Sequence, residues 1–350
     1  MVRRRALDQI AYLSNRPEVL AETLGHVRHF MPWLREAVVM CPASAQDQIR
    51  RAVGDADTPE LVLVDEDALL TVAERRSIPT DHSVRNAYLR GMLLARGPLA
   101  DLFLQSDDDY RPLKPVDPSL FVEDGRMVLY AFYDLALWRR DSSPFDRVQQ
   151  ASYVLLSYLG AGHLCYASHM PQVLDKELCL EAFSVADKLT GGTSFCEWSF
   201  PLNYSQQMAP ERFAPPQTFR TMCWPRYPHE WPYWQRPVDL TFENFYPELY
   251  APGALFAGIG TALDASAPER QAFEKISRWH AFDIAAGQLR FPKGITNPWQ
   301  TSPGRRAFFG AARRARKLYE YVSLEERTQL AELAGAVDRL KALTERKSQP

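Results

Sequence analysis

The sequence predicts an α/β fold, a mostly parallel sheet flanked by helices, continued by an irregular aromatic-rich region and a helical C-terminal tail. Three observations carry this. Over about the first 135 residues, short apolar runs alternate with longer segments whose apolar residues recur at helical spacing. One run, LADLFLQ, has the continuous apolar character of a strand covered on both faces. From residue 139 the alternation lapses, and Pro, Trp, Tyr and Phe crowd the chain between Ser199 and Pro252.

The elements follow in order. LDQIAYL reads as a strand, and PEVLAETLGHVRHFMPWL as a helix with Pro17 in its first turn, where no amide donor is needed. EAVVMCP is a second strand, AQDQIRRAV a short helix, and ELVLVD a third strand ending in acids. HSVRNAYLRGMLLARG is a helix closed by Gly97, LADLFLQ the next strand and MVLYAFYDL a further one. QQASYVLLSYLGAG and DKELCLEAFSVADKL read as helices, and the stretch from Ser199 to Pro252 as a long irregular loop region. The tail returns to helix, with Ser323 and Glu326 forming a capping box. This divides the chain into an α/β half (1–138), a middle region (139–302) and a tail (303–350).

Charge narrows the function. With 41 basic and 43 acidic side chains, the net charge of -2 argues against a chain that neutralises nucleic-acid phosphates. Five scattered cysteines without a CxxC pair fit a reducing, cytoplasmic setting. No uninterrupted apolar run reaches the ~18 residues of a bilayer span.

The sharpest local feature is QSDDDY, where a buried strand delivers Asp107, Asp108 and Asp109 to its carboxyl end. Ligands of doubly wound sheets bind at such ends. Adjacent carboxylates repel one another, and a hard divalent cation, Mg or Mn, is the simplest compensation; a solvated acidic turn is the alternative. Downstream, GGTSFCEWSF places Gly191 and Gly192 before Glu197 and Trp198. His169, in SHMPQ, is either a phosphate or acid-base group or a structural histidine. RYPHEWPYW gathers His229, Trp231 and Trp234 among aromatic side chains suited either to sugar faces or to a packed loop. The basic segment from Arg305 to Lys317 reads either as a peripheral contact with an anionic membrane or as a solvated helix face.

Taken together, the residues from Ser83 to Pro112 resemble the nucleotide-sugar transferases of the GT-A fold: an Arg85-Asn86 helix start, Gly97 at the helix end, an apolar strand, and Asp107 and Asp109 as a DxD motif. SNRPE after the first strand is similar to that family's nucleotide loop. The resemblance implies a nucleotide-sugar donor contacted by Ser14, Arg16, Asp65, Arg85, Asn86, Asp107, Asp108, Gly191 and Gly192. It implies a Mn or Mg cation held by Asp107, Asp109 and a later histidine, His229 or His280, of which His229 is preferred. It also implies Glu197 as the catalytic base of an inverting transfer. A saccharide or lipid-linked acceptor would then meet His169, Trp198, Trp231 and Trp234. A narrower resemblance links Pro32-Trp33, Pro79-Thr80, Asp107-Asp108 and His169-Met170-Pro171 to the Stealth-type sugar-1-phosphate transferases, although SNRPE replaces that family's opening element. A non-catalytic sugar-binding protein is the third expectation.

Overall fold

The computed structural model describes residues 7–54, 59–137, 143–191, 195–222, 241–252 and 256–259. Its centre is a five-stranded sheet in the order β3-β2-β1-β4-β9, made by β1 (Gln9–Leu13), β2 (Glu36–Cys41), β3 (Glu60–Asp65), β4 (Leu102–Gln105) and β9 (Gln172–Asp175). The first four run parallel, and β9 pairs antiparallel with β4 through Leu102↔Asp175 to Gln105↔Gln172. The expected class, α/β with a mostly parallel sheet between helices, is the observed one. Because β9 completes the same sheet, the division expected near residue 138 crosses a continuous layer.

The helices form where the apolar spacing placed them. Helix α1 (Pro17–Phe30) starts on Pro17 and turns Leu20, Leu24, Val27 and Phe30 inward. Helix α2 (Ala43–Val53) buries Ala45, Ile49 and Val53. After the single-turn α3 (Val72–Arg76), α4 (His82–Arg96) is capped by the Asp81 carboxylate, which accepts from the Ser83 and Val84 amides at 3.1 and 3.3 Å. Helix α5 (Pro144–Leu159) ends on Gly160 at φ +69 and α6 (Lys176–Thr190) on Gly191 at φ +64, a left-handed conformation that favours glycine.

Three expectations change. MVLYAFYDL is not one strand. Arg126–Met127 (β7) closes a hairpin with Val122–Glu123 (β6), while Tyr130–Ala131 (β8) pairs parallel with Gln217–Thr218 (β10). QVLD, whose first three residues the sequence reading assigns to no element, is the edge strand β9. Finally, the region from Ser199 opens with a helix, α7 (Ser199–Met208), whose first seven residues are all buried. A helix covered on every side has no polar stripe, so its period was invisible. Its buried Asn203 is satisfied internally: the amide donates to the Leu164 and Ser199 carbonyls at 2.8 and 2.7 Å, and its oxygen accepts from the Leu164 amide at 3.0 Å.

A smaller sheet, β11-β12-β5, uses Thr221–Met222 (β11), Phe242–Asn244 (β12) and Tyr110–Pro112 (β5), with β12 antiparallel to β5. Arg111 pins it to the core. Its guanidinium, fully buried, bonds Glu243 on β12 and Glu22 on α1 and lies 3.7 Å from the Phe245 ring centroid. No described helix is long and apolar enough to cross a membrane.

Candidate active site

Loops leaving the carboxyl ends of the four parallel strands surround a cavity of about 330 Å³. Ser14, Asn15 and Arg16 come from the loop after β1, Pro42 from that after β2, Glu66 from that after β3, and Asp107 to Asp109 from that after β4; His82, Arg85 and Asn86 project from the first turns of α4.

The acidic triplet is not solvated evenly. A turn closed by the Tyr110 amide on the Asp107 carbonyl, at 3.1 Å, sends Asp108 inward. There Asp108 accepts from the Ser14 hydroxyl at 2.5 Å and from both Arg16 Nε, at 3.1 Å, and Arg16 Nη2, while Thr23 donates to its carbonyl at 2.5 Å. Asp108 is thus an anchor between β4, the β1 loop and α1. Among the described residues Asp109 keeps a single ion pair, to Arg16 Nη2 at 2.9 Å. Burial pushes its carboxyl up to about 7, with the Asp107 charge adding to the shift and Arg16 opposing it. Asp107 pairs with Arg90 and accepts a hydrogen bond from the Tyr110 hydroxyl.

Arg90 and Glu197 complete the site. Arg90 is 3% exposed, reaches the Ser106 carbonyl and Asp107, and lies 3.8 Å from Glu197. Glu197 is buried, which raises its carboxyl to about 7; Arg90 works against the rise and Asp107 with it. Four carboxylates, Asp107, Asp108, Asp109 and Glu197, therefore face two guanidiniums, Arg16 and Arg90. Fully ionised, the four would exceed the two guanidiniums by two charges, and the raised carboxyls of Asp109 and Glu197 are the response of the cation-free site to that crowding. Among the described residues no group of three or more His, Cys, Asp or Glu side chains is arranged to hold a metal ion. Asp107 and Asp109 nonetheless supply the hard oxygen donors, two carboxylates in number, that Mg and Mn take when phosphate oxygens and water complete the shell.

Other expected site residues fall in different places. Arg85 lines the cavity but is paired with Glu66, at 3.0 and 2.9 Å, and the Asn86 amide nitrogen lies 3.3 Å from the His82 ring nitrogen. Asp65 is turned away to cap the next turn, accepting from the Asp67 amide at 3.0 Å, so Glu66 and not Asp65 stands on the cavity wall. Trp198 is no open stacking face for a sugar: it is 4% exposed, with the Arg90 guanidinium 4.9 Å from its ring centroid and Tyr110 at 6.1 Å. His169 sits behind Tyr110, edge-on at 5.5 Å, with backbone φ of +52. Gly191 is explained by the end of α6, whereas Gly192, His229, Trp231, Trp234, His280 and the basic tail lie outside the described residues.

Arg90, Tyr110, Thr23 and Glu66 were missed. Arg90 carried a signal: it falls in the buried stripe of α4 with Ala87, Leu89, Leu93 and Leu94, and a charge placed there requires a partner.

No known family profile matches the chain, and no curated protein does. Among solved structures it is similar to the galactosyltransferase LgtC in complex with donor and acceptor sugar analogs, with 10% identity over 77% of this chain and 95% of that one and a TM-score of 0.43. It is also similar to mouse xyloside xylosyltransferase 1 in its apo form (8% identity, 69% and 98% covered, TM-score 0.41). A third similarity is to 4-diphosphocytidyl-2C-methyl-D-erythritol synthase from Anaerococcus prevotii (12% identity, 77% and 98% covered, TM-score 0.36). These are loose likenesses, and the chemistry of the site is read from its own side chains.

Proposed function

We propose that this chain is a glycosyltransferase that moves a sugar from a nucleoside diphosphate-sugar to a hydroxyl of a saccharide or lipid-linked saccharide, with Mg or Mn as cofactor. The observation that carries the reading is the gathering of four carboxyl groups, Asp107, Asp108, Asp109 and Glu197, on only two guanidiniums, Arg16 and Arg90, at the carboxyl edge of a parallel sheet. Asp107 and Asp109 would hold the cation, whose charge on the diphosphate oxygens favours departure of the nucleotide.

The chain's own residues divide the remaining work. Arg16 is half exposed and reaches into the cavity, so it can turn from Asp109 to a phosphate oxygen. Glu197, with a carboxyl near 7, is suited to take the acceptor's proton at neutral pH. Arg90 is a positioning residue, fixing Asp107 and Glu197 relative to one another, and Trp198 and Tyr110 wall it from water. The GT-A resemblance of the sequence points to the same chemistry, and the basic tail remains the proposed contact with an anionic membrane surface.

Identifying the released nucleotide tests this. Incubation with nucleotide-sugars and Mn should yield nucleoside diphosphate. Nucleoside monophosphate would replace the reading with sugar-1-phosphate transfer. Absence of any cation-dependent nucleotide binding would leave a non-catalytic sugar-binding protein.

A further inference from the structure

Two donors hold the Asp107 carboxylate. Arg90 is shared, since its guanidinium also reaches the Ser106 carbonyl and lies 3.8 Å from Glu197. The second donor is the Tyr110 hydroxyl. Tyr110 is itself fixed from several directions. It is 5% exposed, its amide closes the turn on the Asp107 carbonyl at 3.1 Å, and β5 sets it opposite Asn244 of β12. The next residue on that strand end, Phe245, donates its amide to the Asp109 carbonyl at 2.7 Å. The Tyr110 ring meets Trp198 at 6.1 Å and His169, edge-on, at 5.5 Å. His169 takes that place with a φ of +52, a left-handed backbone that a residue other than glycine keeps only where its surroundings impose it. Asp109 lacks such support: Arg16, its ion-pair partner, has a side chain that is 47% exposed.

We propose that Tyr110 is a positioning residue for the cation site, its hydroxyl orienting Asp107 so that this carboxylate is the preformed half of the site and Asp109 the adjustable half. The inference rests on the nucleotide-sugar reading of the cavity. An ionised carboxylate has about four acceptor positions, so the two donors leave capacity on a side chain that lines the cavity. A carboxylate without a donor behind it keeps torsional freedom that it must lose on binding a metal. Deleting such a donor weakens metal binding by about 10- to 100-fold. The same deletion leaves the carboxylate more basic, which favours a cation. That opposing effect is the smaller one here, because the hydroxyl is neutral, burial holding it protonated, and the charged partner Arg90 stays in place.

Tyr110→Phe keeps the ring and its contacts and removes only the hydroxyl. The full chain and this variant are titrated with Mn, alone and with whichever of UDP, GDP, CDP and ADP binds the wild type tightest, followed by calorimetry and by the electron paramagnetic resonance of the bound Mn. The variant should bind Mn about tenfold more weakly or worse, with nucleotide binding in EDTA unchanged. Urea unfolding in EDTA separates positioning from packing. A hydroxyl that serves packing alone lowers stability there and leaves the Mn affinity of folded molecules unchanged, and a variant that does not fold in EDTA places the hydroxyl in the same class; either result overturns the inference. Mn binding as tight as in the wild type, or tighter, also overturns it while leaving the nucleotide-sugar reading intact. Failure of the wild type to bind Mn, alone or with any of the four nucleotides, overturns both.

Discussion

Replacing Asp109 by Asn should stabilise the cation-free protein at alkaline pH while removing its response to Mn. The carboxyl rises from 3.8 to about 7 in the folded chain, first through burial and then through Asp107. Between those values the folded state binds the proton that the unfolded state has lost, so this group's contribution to stability is greatest below about pH 4 and falls as pH rises to about 7. A rise of that size corresponds to a ceiling of about 4 kcal/mol. Asn keeps the shape without ionising, and the pair with the half-exposed Arg16 that it gives up is already counted in the net rise. The expected net gain at pH 8 is about 1–3 kcal/mol, disappearing as the pH is taken below 5. Urea unfolding in EDTA at the two pH values measures it, and a parallel series with Mn and a nucleoside diphosphate should stabilise wild type and leave the variant unchanged. A variant less stable than wild type at pH 8 without cation would show that Arg16 and Arg90 already balance the site, and the argument for a cation would fail.

Glu197→Gln should fold normally and lose about 100- to 10,000-fold in turnover with little change in donor KM, while wild-type turnover rises with pH through about 7; nucleotide-release assays across pH check both. Arg90→Met leaves Asp107 and Glu197 facing one another without their shared cation and should cost about 3–5 kcal/mol in urea unfolding, partly recovered by adding Glu197→Gln. Gly97→Ala drives a Cβ to 2.5 Å from the Leu93 carbonyl oxygen and should cost about 2 kcal/mol, with activity per folded molecule unchanged. Leu93 Cδ1 obstructs at 2.5 Å as well, but the carbonyl clash is backbone, so Leu93→Ala should not rescue it.

The sequence made the parallel sheet legible because each of its first four strands is a short apolar run beside a helix with a clear stripe. It hid α7 and β9 for opposite reasons. The helix Ser199–Met208 is buried all round over its first seven residues and so shows no period there, while QVLD is four residues long and runs straight into the cap of α6, Asp175. At the site, Asp107 and Asp109 were readable as a strand-end acidic pair, but what balances them was not. Arg90 lies seventeen positions upstream and Arg16 more than ninety, and only the sheet order brings both to one edge. Asp65 and Glu66 show the finest limit. Either acid suits the end of β3, and the choice between cap and cavity turns on which one Arg85 reaches across from α4.

The middle acid explains why a triplet serves where two carboxylates would bind a cation. Asp108 takes the Ser14 hydroxyl, two nitrogens of Arg16 and, through its carbonyl, Thr23, so the β1 loop and α1 are fastened to the end of β4 by a residue at the buried floor of the cavity. That fastening holds Arg16 beside Asp109, and the same burial raises the Asp109 carboxyl. Arg16 can meet a phosphate with Nη1 or by turning Nη2 from Asp109, and the second move strips Asp109 of its one cationic partner among the described residues. The two events reinforce each other: a diphosphate that draws Arg16 away leaves a carboxylate that needs a cation, and a cation on Asp109 frees Arg16 for the diphosphate. Binding of nucleotide and of metal should therefore be mutually dependent, with Arg16 as the shared element.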